Sequence, residues 1–172
     1  MWIDGYGKGD HVIQVFSNDA ERLKAICDLI DWVGEDELIL YICETPLSCN
    51  GSLYDRKVEK AIQEGKVRVI SAKAYYFSHG KIDYRRIMEK LDWLIDSIHR
   101  EGKRIGAAVG DLSWALRSDE TFRELMKYEA MLHLNGLSLD IGILCQYDSR
   151  YLTEEQNRQI SKMHAMQLRN GH

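Results

Sequence analysis

The sequence predicts an α/β fold: a three-layer α/β/α arrangement around a mainly parallel sheet of about five strands. Three observations predict it. Short runs rich in β-branched residues alternate with segments of helical period along the whole chain. Five strands alternating with five helices make βαβ units, which stack into a parallel sheet covered on both faces. The sole proline, Pro46, falls just past the second strand, so no strand is interrupted.

Residues 11–16, HVIQVF, predict the first strand. The following NDAERLKAICDLIDWVG places Leu23, Ile26, Cys27, Ile30 and Val33 on one helical face. Asn18 and Glu21 have capping-box spacing, with Asn where Ser or Thr is usual, and Gly34 offers a stop. ELILYIC, 37–43, is the second strand, and a short helix with Val58, Ala61 and Ile62 inward ends at Gly65. KVRVIS, 66–71, is the third strand, whereas AKAYYFSHGKID has no helical stripe and predicts a loop or small excursion. DYRRIMEKLDWLIDSIHREG is the strongest helix, with Tyr84, Ile87, Met88, Leu91, Leu94, Ile95 and Ile98 on one face and Gly102 closing it. Trp93 lies off that stripe and reads as a surface tryptophan, with a dimer contact as the alternative. RIGAAVG, 104–110, is the fourth strand, residues 119–136 are a helix ended by Asn135-Gly136, and LSLDIGILCQYD supplies the fifth strand. Thr153 and Gln156 start a final helix with a thin apolar face, after which QLRNGH is expected to fray. No repeat or linker divides the chain, so residues 1–172 form one domain with flexible ends at 1–9 and 166–172.

Composition excludes several classes of function. Hydrophobic residues are 45% and charged residues 29%, a globular and not a disordered balance. The 23 basic and 27 acidic residues intermix to a net charge of -4, and no basic tract suggests direct nucleic-acid binding. No apolar run is long enough to span a bilayer, and MWIDGYGKGDHVI lacks the layout of a secretory signal. A cytoplasmic protein with reduced cysteines is expected. Cys27, Cys43, Cys49 and Cys145 form no C-x-x-C pair and the six histidines are scattered, so neither a metal site nor a cofactor is expected.

Ligands of open parallel sheets sit beyond the carboxyl ends of the strands. There this sequence puts Ser17, Asn18 and Asp19; Cys43, Glu44 and Thr45; Tyr75, Tyr76, Phe77 and His79; Asp111, Ser113 and Trp114; and Gln146, Tyr147, Asp148 and Arg150. In the helix TFRELMKYEAMLHL, Tyr128 and Glu129 fall within the buried stripe marked by Phe122, Leu125, Met126 and Leu132. A carboxylate there is costly unless it finds a donor or a proton. It either serves a structural partner or a ligand. His11, at the amino end of the first strand, reads as structural.

Nucleotide chemistry finds no support. GYGKGDH precedes the first strand, whereas a phosphate loop must follow a strand and open a helix. The segment in that place, SNDAERL, has no glycine, and Asp19 and Glu21 would repel phosphate. RIGAAVGD resembles a strand ending in a magnesium-binding aspartate only weakly without that loop. There is no G-x-S-x-G elbow, and nothing marks Cys145 as an activated nucleophile. The chain is not expected to be an enzyme.

GDHVIQVFSND near the start, GDLSWAL after the fourth strand, YEAMLHL on the next helix and LCQYDSRYLT after the fifth occur in this order. Together they resemble the MEDS family, the methanogen/methylotroph DcmR-type sensory domain, over nearly the whole chain. The resemblance implies a RecA/KaiC-like α/β fold without a phosphate loop. It also implies a non-catalytic sensory role in signal transduction or transcription regulation, tuned to small hydrocarbon derivatives or one-carbon compounds. A regulator or sensor kinase in cis or trans would supply the output. The partner expected is thus a small organic ligand; neither nucleic acid nor membrane is bound directly, and a homodimer is allowed. Carried across, the family's positions are His11, Trp114, Tyr128, Glu129, Cys145, Gln146, Tyr147 and Asp148. Gly110-Asp111 departs from the more usual Gly-Glu. The expected ligand site therefore comprises Asp111, Trp114, Tyr128, Glu129, Cys145, Gln146, Tyr147 and Asp148, with His11 and Arg150 as additions. Aromatics would wall it and Glu129, Gln146 and Asp148 would orient the ligand. On that reading Glu129→Gln alters ligand response with little loss of stability. A degenerate nucleotide-binding domain or slow NTPase, and a protein-interaction module, are the competing readings.

Overall fold

Six parallel strands form one sheet, one more than the sequence predicts. The computed structural model describes residues 6–44, 53–136, 139–164 and 166–168, so Thr45, Pro46 and Cys49 lie outside the described residues. Along the chain run β1 (His11–Phe16), α1 (Asp19–Trp32), β2 (Glu37–Cys43), α2 (Leu53–Gln63), β3 (Val67–Ser71), α3 (Ala72–Tyr76), β4 (Phe77–Ser78) and β5 (Lys81–Ile82). There follow α4 (Tyr84–Arg100), β6 (Arg104–Asp111), α5 (Asp119–Gly136), β7 (Gly142–Asp148), α6 (Glu154–Lys162) and β8 (Met166–Leu168). Single 3-10 turns, Ser113–Arg117 and Ser149–Tyr151, follow β6 and β7. The sheet order is β3-β2-β6-β7-β1-β8, every neighbouring pair parallel.

Period-two alternation sends successive strand residues to opposite helical layers. On one face α1 and α2 pack Leu23, Ile26, Leu29, Val58 and Ala61 against Val12, Ile39, Tyr41, Val109 and Leu144. On the other, Leu91 and Ile98 of α4, Leu125 and Leu132 of α5 and Ile160 of α6 meet Ile13, Leu38, Leu40 and Ile143. With both faces covered, β2 and β7 are buried along their full length. The central strand β6 carries small residues because its neighbours come close. The register slips between Leu38 and Ile39 opposite Gly106, where a Cβ would lie 2.8 Å from both Val33 and Glu37.

Local signals explain the helix ends. Asn18 Oδ1 accepts from the Glu21 amide at 3.0 Å, but the Glu21 carboxylate turns back to Ser17 and not to the cap residue. Thr153 and Gln156 form the full reciprocal box that opens α6. In α4 the predicted stripe faces inward, with Ile87, Leu91 and Ile98 buried and Trp93 exposed on the far side.

Three segments carry more structure than the sequence reading gives them; of the ends expected to be flexible, residues 1–5 and 169–172 lie outside the described residues. The segment after β3 is not a plain loop: it forms α3 and a two-stranded hairpin whose tip, His79-Gly80, has positive φ at both residues (52° and 76°). That is the backbone a two-residue hairpin of this twist requires. At the carboxyl end, Met166–Leu168 do not fray but pair in parallel with Val12, Ile13 and Gln14 of β1, giving the sixth strand. Pairing answers the edge of β1 that would otherwise stand open. At the amino end, Tyr6 is buried against Trp32 with ring centroids 5.1 Å apart, and Gly9 donates to the Ile141 carbonyl at 3.1 Å.

At the amino end of β2, buried Glu37 accepts from Lys8 and from the Gly34 amide at 3.0 Å. Burial pushes its carboxyl up, but these bonds and the nearby Arg104 carry it below its ordinary 4.5. Its contribution is therefore present above pH 4.5 and is lost as the pH falls through the lowered folded value. Glu37→Gln is expected to cost about 1.5–3 kcal/mol at neutral pH and to shrink the acid-side loss of stability. Urea midpoints measured at neutral and acid pH check both effects.

Candidate functional site

Alternation in β7 divides the residues that the sequence groups together. Cys145 and Tyr147 point to the layer of α5, whereas Gln146 points to the layer of α1. The predicted residues consequently fall into three places.

The first is a buried cluster beneath α5. Glu129 is fully buried and accepts from the Tyr147 hydroxyl at 2.5 Å. Its other oxygen, Oε2, lies 2.9 Å from His11 Nε2, 3.4 Å from His164 Nε2 and 3.7 Å from Cys145 Sγ. Burial pushes the Glu129 carboxyl up, yet the two imidazoles hold it well below the usual carboxylate range. Burial likewise lowers His164, and the Glu129 carboxylate beside it raises it past its ordinary 6.5. Burial and the Glu129 charge both push the Cys145 thiol and the Tyr147 phenol up. His11, read as structural from its place at the start of β1, is a full member. His164 was not singled out. It sits just beyond α6, where only the return of the chain beside β1 brings it in.

The second is a polar seam between β1, β7 and α1. Gln146 donates to Gln14 at 2.7 Å and to the Arg22 carbonyl at 3.1 Å. Arg22 is buried, with Nη1 3.1 Å from the Tyr41 hydroxyl and 3.3 Å from Asp111. Asp111 also accepts from the Ser113 amide and hydroxyl at 3.1 and 2.8 Å, so both its oxygens are engaged. Asp148 is held by Arg150 at 2.5 Å, and its amide donates to Ser113 at 2.9 Å. These bonds tie the last loops together.

The third is an open cavity of about 760 Å³ at the carboxyl ends of β2, β3 and β6. Trp114 and Phe77 form its aromatic wall, 5.1 Å apart, with Ala72 and Ala74 beside them. Arg117 and Glu44, joined by a two-pronged ion pair of 2.9 and 2.7 Å, stand at the same cavity with Lys73 and His79. Of the predicted site residues only Trp114 lines it. The sequence puts Glu44, Phe77 and His79 at this edge of the sheet. It does not single out Arg117 and Thr121, although Arg117 follows SWAL directly and Thr121 comes four residues later. Tyr128 lies one layer deeper, edge-on to Tyr76 at 5.7 Å, and shares with Cys145 a void of about 20 Å³. Tyr76 in turn touches Trp114 at 5.1 Å, so an aromatic chain leads from the cavity wall to the neighbour of Glu129.

Where a phosphate loop would sit, the backbone is already answered. The Glu21 carboxylate accepts from the Ser17 amide at 2.8 Å and hydroxyl at 2.9 Å.

Comparison with known proteins agrees with this architecture. The family model described as MEDS, "MEthanogen/methylotroph, DcmR Sensory domain", matches residues 10–165. No curated protein matches the sequence. Among solved structures, the fold is similar to a KaiC-like protein from the hyperthermophilic archaeon Pyrococcus horikoshii, at 13% identity and a TM-score of 0.61, covering 98% of this chain and 76% of that one. It is also similar to the flagellar accessory protein FlaH of Methanocaldococcus jannaschii, at 13% identity and a TM-score of 0.50, covering 95% and 71%. A DnaB-like replicative helicase aligns at 12% identity and a TM-score of 0.50, over 85% of this chain but 40% of the helicase. At such identities the likeness is one of fold: RecA/KaiC-like, with a mainly parallel sheet. No helix among the described residues is long and apolar enough to cross a membrane.

Proposed function

This chain belongs to the MEDS family of sensory domains, and we propose that it senses a small, largely apolar organic molecule without transforming it. The cavity walled by Phe77 and Trp114 carries the reading. Its volume of about 760 Å³ falls in the range of small-molecule sites. Apolar walls with a few charged groups suit a hydrocarbon derivative bearing a single polar group, and the volume favours one larger than a one-carbon compound. The non-catalytic part rests on the state of the reactive side chains. Asp111 is committed to Arg22 and Ser113, and Cys145 is fully enclosed, away from the cavity lining. Glu21 occupying the Ser17 donors disfavours a nucleotide. Occupancy would pass to a regulator or kinase module in cis or trans through the turn that carries Trp114.

A thermal-shift titration tests this with Mg-ATP set against small methylated and halogenated compounds. A true ligand at about a hundred times its Kd adds ~2.7 kcal/mol, a rise of roughly 5–10 °C for a domain this size. Ala74→Trp, an exposed position on the cavity wall, is expected to fold normally and to abolish the shift. A shift with Mg-ATP alone would overturn the sensory reading of the cavity.

A further inference from the structure

We propose that His11, Glu129, Cys145 and His164 form a closed site for a divalent transition metal of the zinc type. This goes beyond the cavity reading and does not depend on it. One donor atom from each of the four buried residues lies within 4.8 Å of all the others. The separations are those of a coordination shell. His11 Nε2 stands 3.3 Å from Cys145 Sγ and 2.9 Å from Glu129 Oε2; Glu129 Oε2 stands 3.7 Å from Cys145 Sγ and 3.4 Å from His164 Nε2. Bonds of about 2.0 Å to nitrogen and oxygen and 2.3 Å to sulfur put tetrahedral ligands roughly 3.3–3.7 Å apart; three of these four separations match, and the His11–Glu129 pair would open from 2.9 Å to admit the ion.

The surroundings of His164 point the same way. His164 Nδ1 lies 2.8 Å from the Ile160 carbonyl, to which it must donate. Its Nε2 is turned toward Glu129 Oε2 at 3.4 Å, is buried, and makes no well-formed hydrogen bond among the described residues. A metal ion serves all four groups at once. Two neutral imidazoles, one carboxylate and one thiolate cancel a double positive charge, leaving no net charge in the core. The metal would displace the Cys145 proton, which burial otherwise retains.

Supporting contacts are of the kind metal sites use to orient their ligands. The Ile160 carbonyl fixes the His164 ring, and the Tyr147 hydroxyl, at 2.5 Å, fixes the Glu129 oxygen that does not face the other donors. Four protein donors leave no open position, so the ion is structural and not catalytic. The ligands come from β1, α5, β7 and the segment between α6 and β8, and the ion would clasp those four pieces together. Spacing rules could not find it, since His11 and Cys145 stand 134 residues apart.

The full chain, stripped with a chelator and titrated with Co²⁺, is expected to show a thiolate-to-cobalt charge-transfer band that saturates at one ion per chain. Zn²⁺ at a thousandfold excess over its Kd is expected to raise the melting temperature by roughly 8–16 °C. Cys145→Ser should remove the band, while Cys43→Ser, buried in the opposite layer, should leave it. The cobalt spectrum of the unaltered chain needs no variant to fold. Absence of a thiolate band there, or its survival in Cys145→Ser, would overturn the proposal. So would cobalt uptake without any thiolate band, which marks an adventitious surface ion only.

Discussion

Glu129→Ala is expected to destabilise the protein by about 3–5 kcal/mol. The side chain is wholly enclosed and is the common acceptor for the Tyr147 hydroxyl and the His11 ring. Removing it leaves those groups, and His164, facing each other in the core with nothing of opposite charge. For a domain this size the melting temperature should fall by roughly 6–20 °C. Tyr147→Phe, which removes one hydroxyl from the same cluster, is expected to cost only about 1–3 kcal/mol. The structure also reverses the expectation for Glu129→Gln. The carboxylate does not reach the cavity beside Trp114, so Gln should lower stability and leave ligand affinity there unchanged. Urea unfolding of the three variants, alongside ligand titration, tests both statements. A Glu129→Ala variant as stable as the parent would show that the cluster does not carry the buried charge described.

Arg22→Ala is expected to follow closely, at about 3–5 kcal/mol. Arg22 is a buried cation on α1 whose guanidinium contacts Tyr41, Asp111 and Asp19, and it lies 6.0 Å from the centre of the Phe16 ring. Burial pulls its pKa down, and Tyr41 and the two aspartates more than restore it. Without it the Asp111 carboxylate keeps only Ser113. Arg22→Lys should recover little, because lysine is shorter and its single ammonium cannot also replace the Nη2 contact to Asp19. Since Asp111 and Ser113 anchor the turn that carries Trp114, ligand affinity at the cavity should weaken as well. A double-mutant cycle with Asp111→Asn measures the pair. Coupling of about 0.5–3 kcal/mol is expected, and additive losses would show that the two residues act separately.

Much of this is legible in the sequence. The alternation of strand and helix, the stripes of α1 and α4, and the capping signals at Asn18 and Thr153 are local, and local sterics and hydrogen bonds enforce them. β8 was not legible because Met166–Leu168 is too short to announce a strand. It becomes one because the edge of β1 offers it partners. The hairpin at His79-Gly80 was hidden for a similar reason: two-residue strands have no period to read.

The candidate residues show the same division. The sequence by itself determined that Glu129 would sit on a buried face and would need donors there. It determined too that polar residues would gather where β6 and β7 end, and that no phosphate loop could form before α1. Only the tertiary structure decided which of them meet. A parallel sheet sends Cys145 and Gln146, adjacent in the chain, into opposite layers, so side chains that read as one motif serve two cores. It also carries His11 and His164 to Glu129 from opposite ends of the chain. Propensity and period act over a few residues, whereas those meetings depend on which strands lie side by side, and that is settled by burial of the whole sheet.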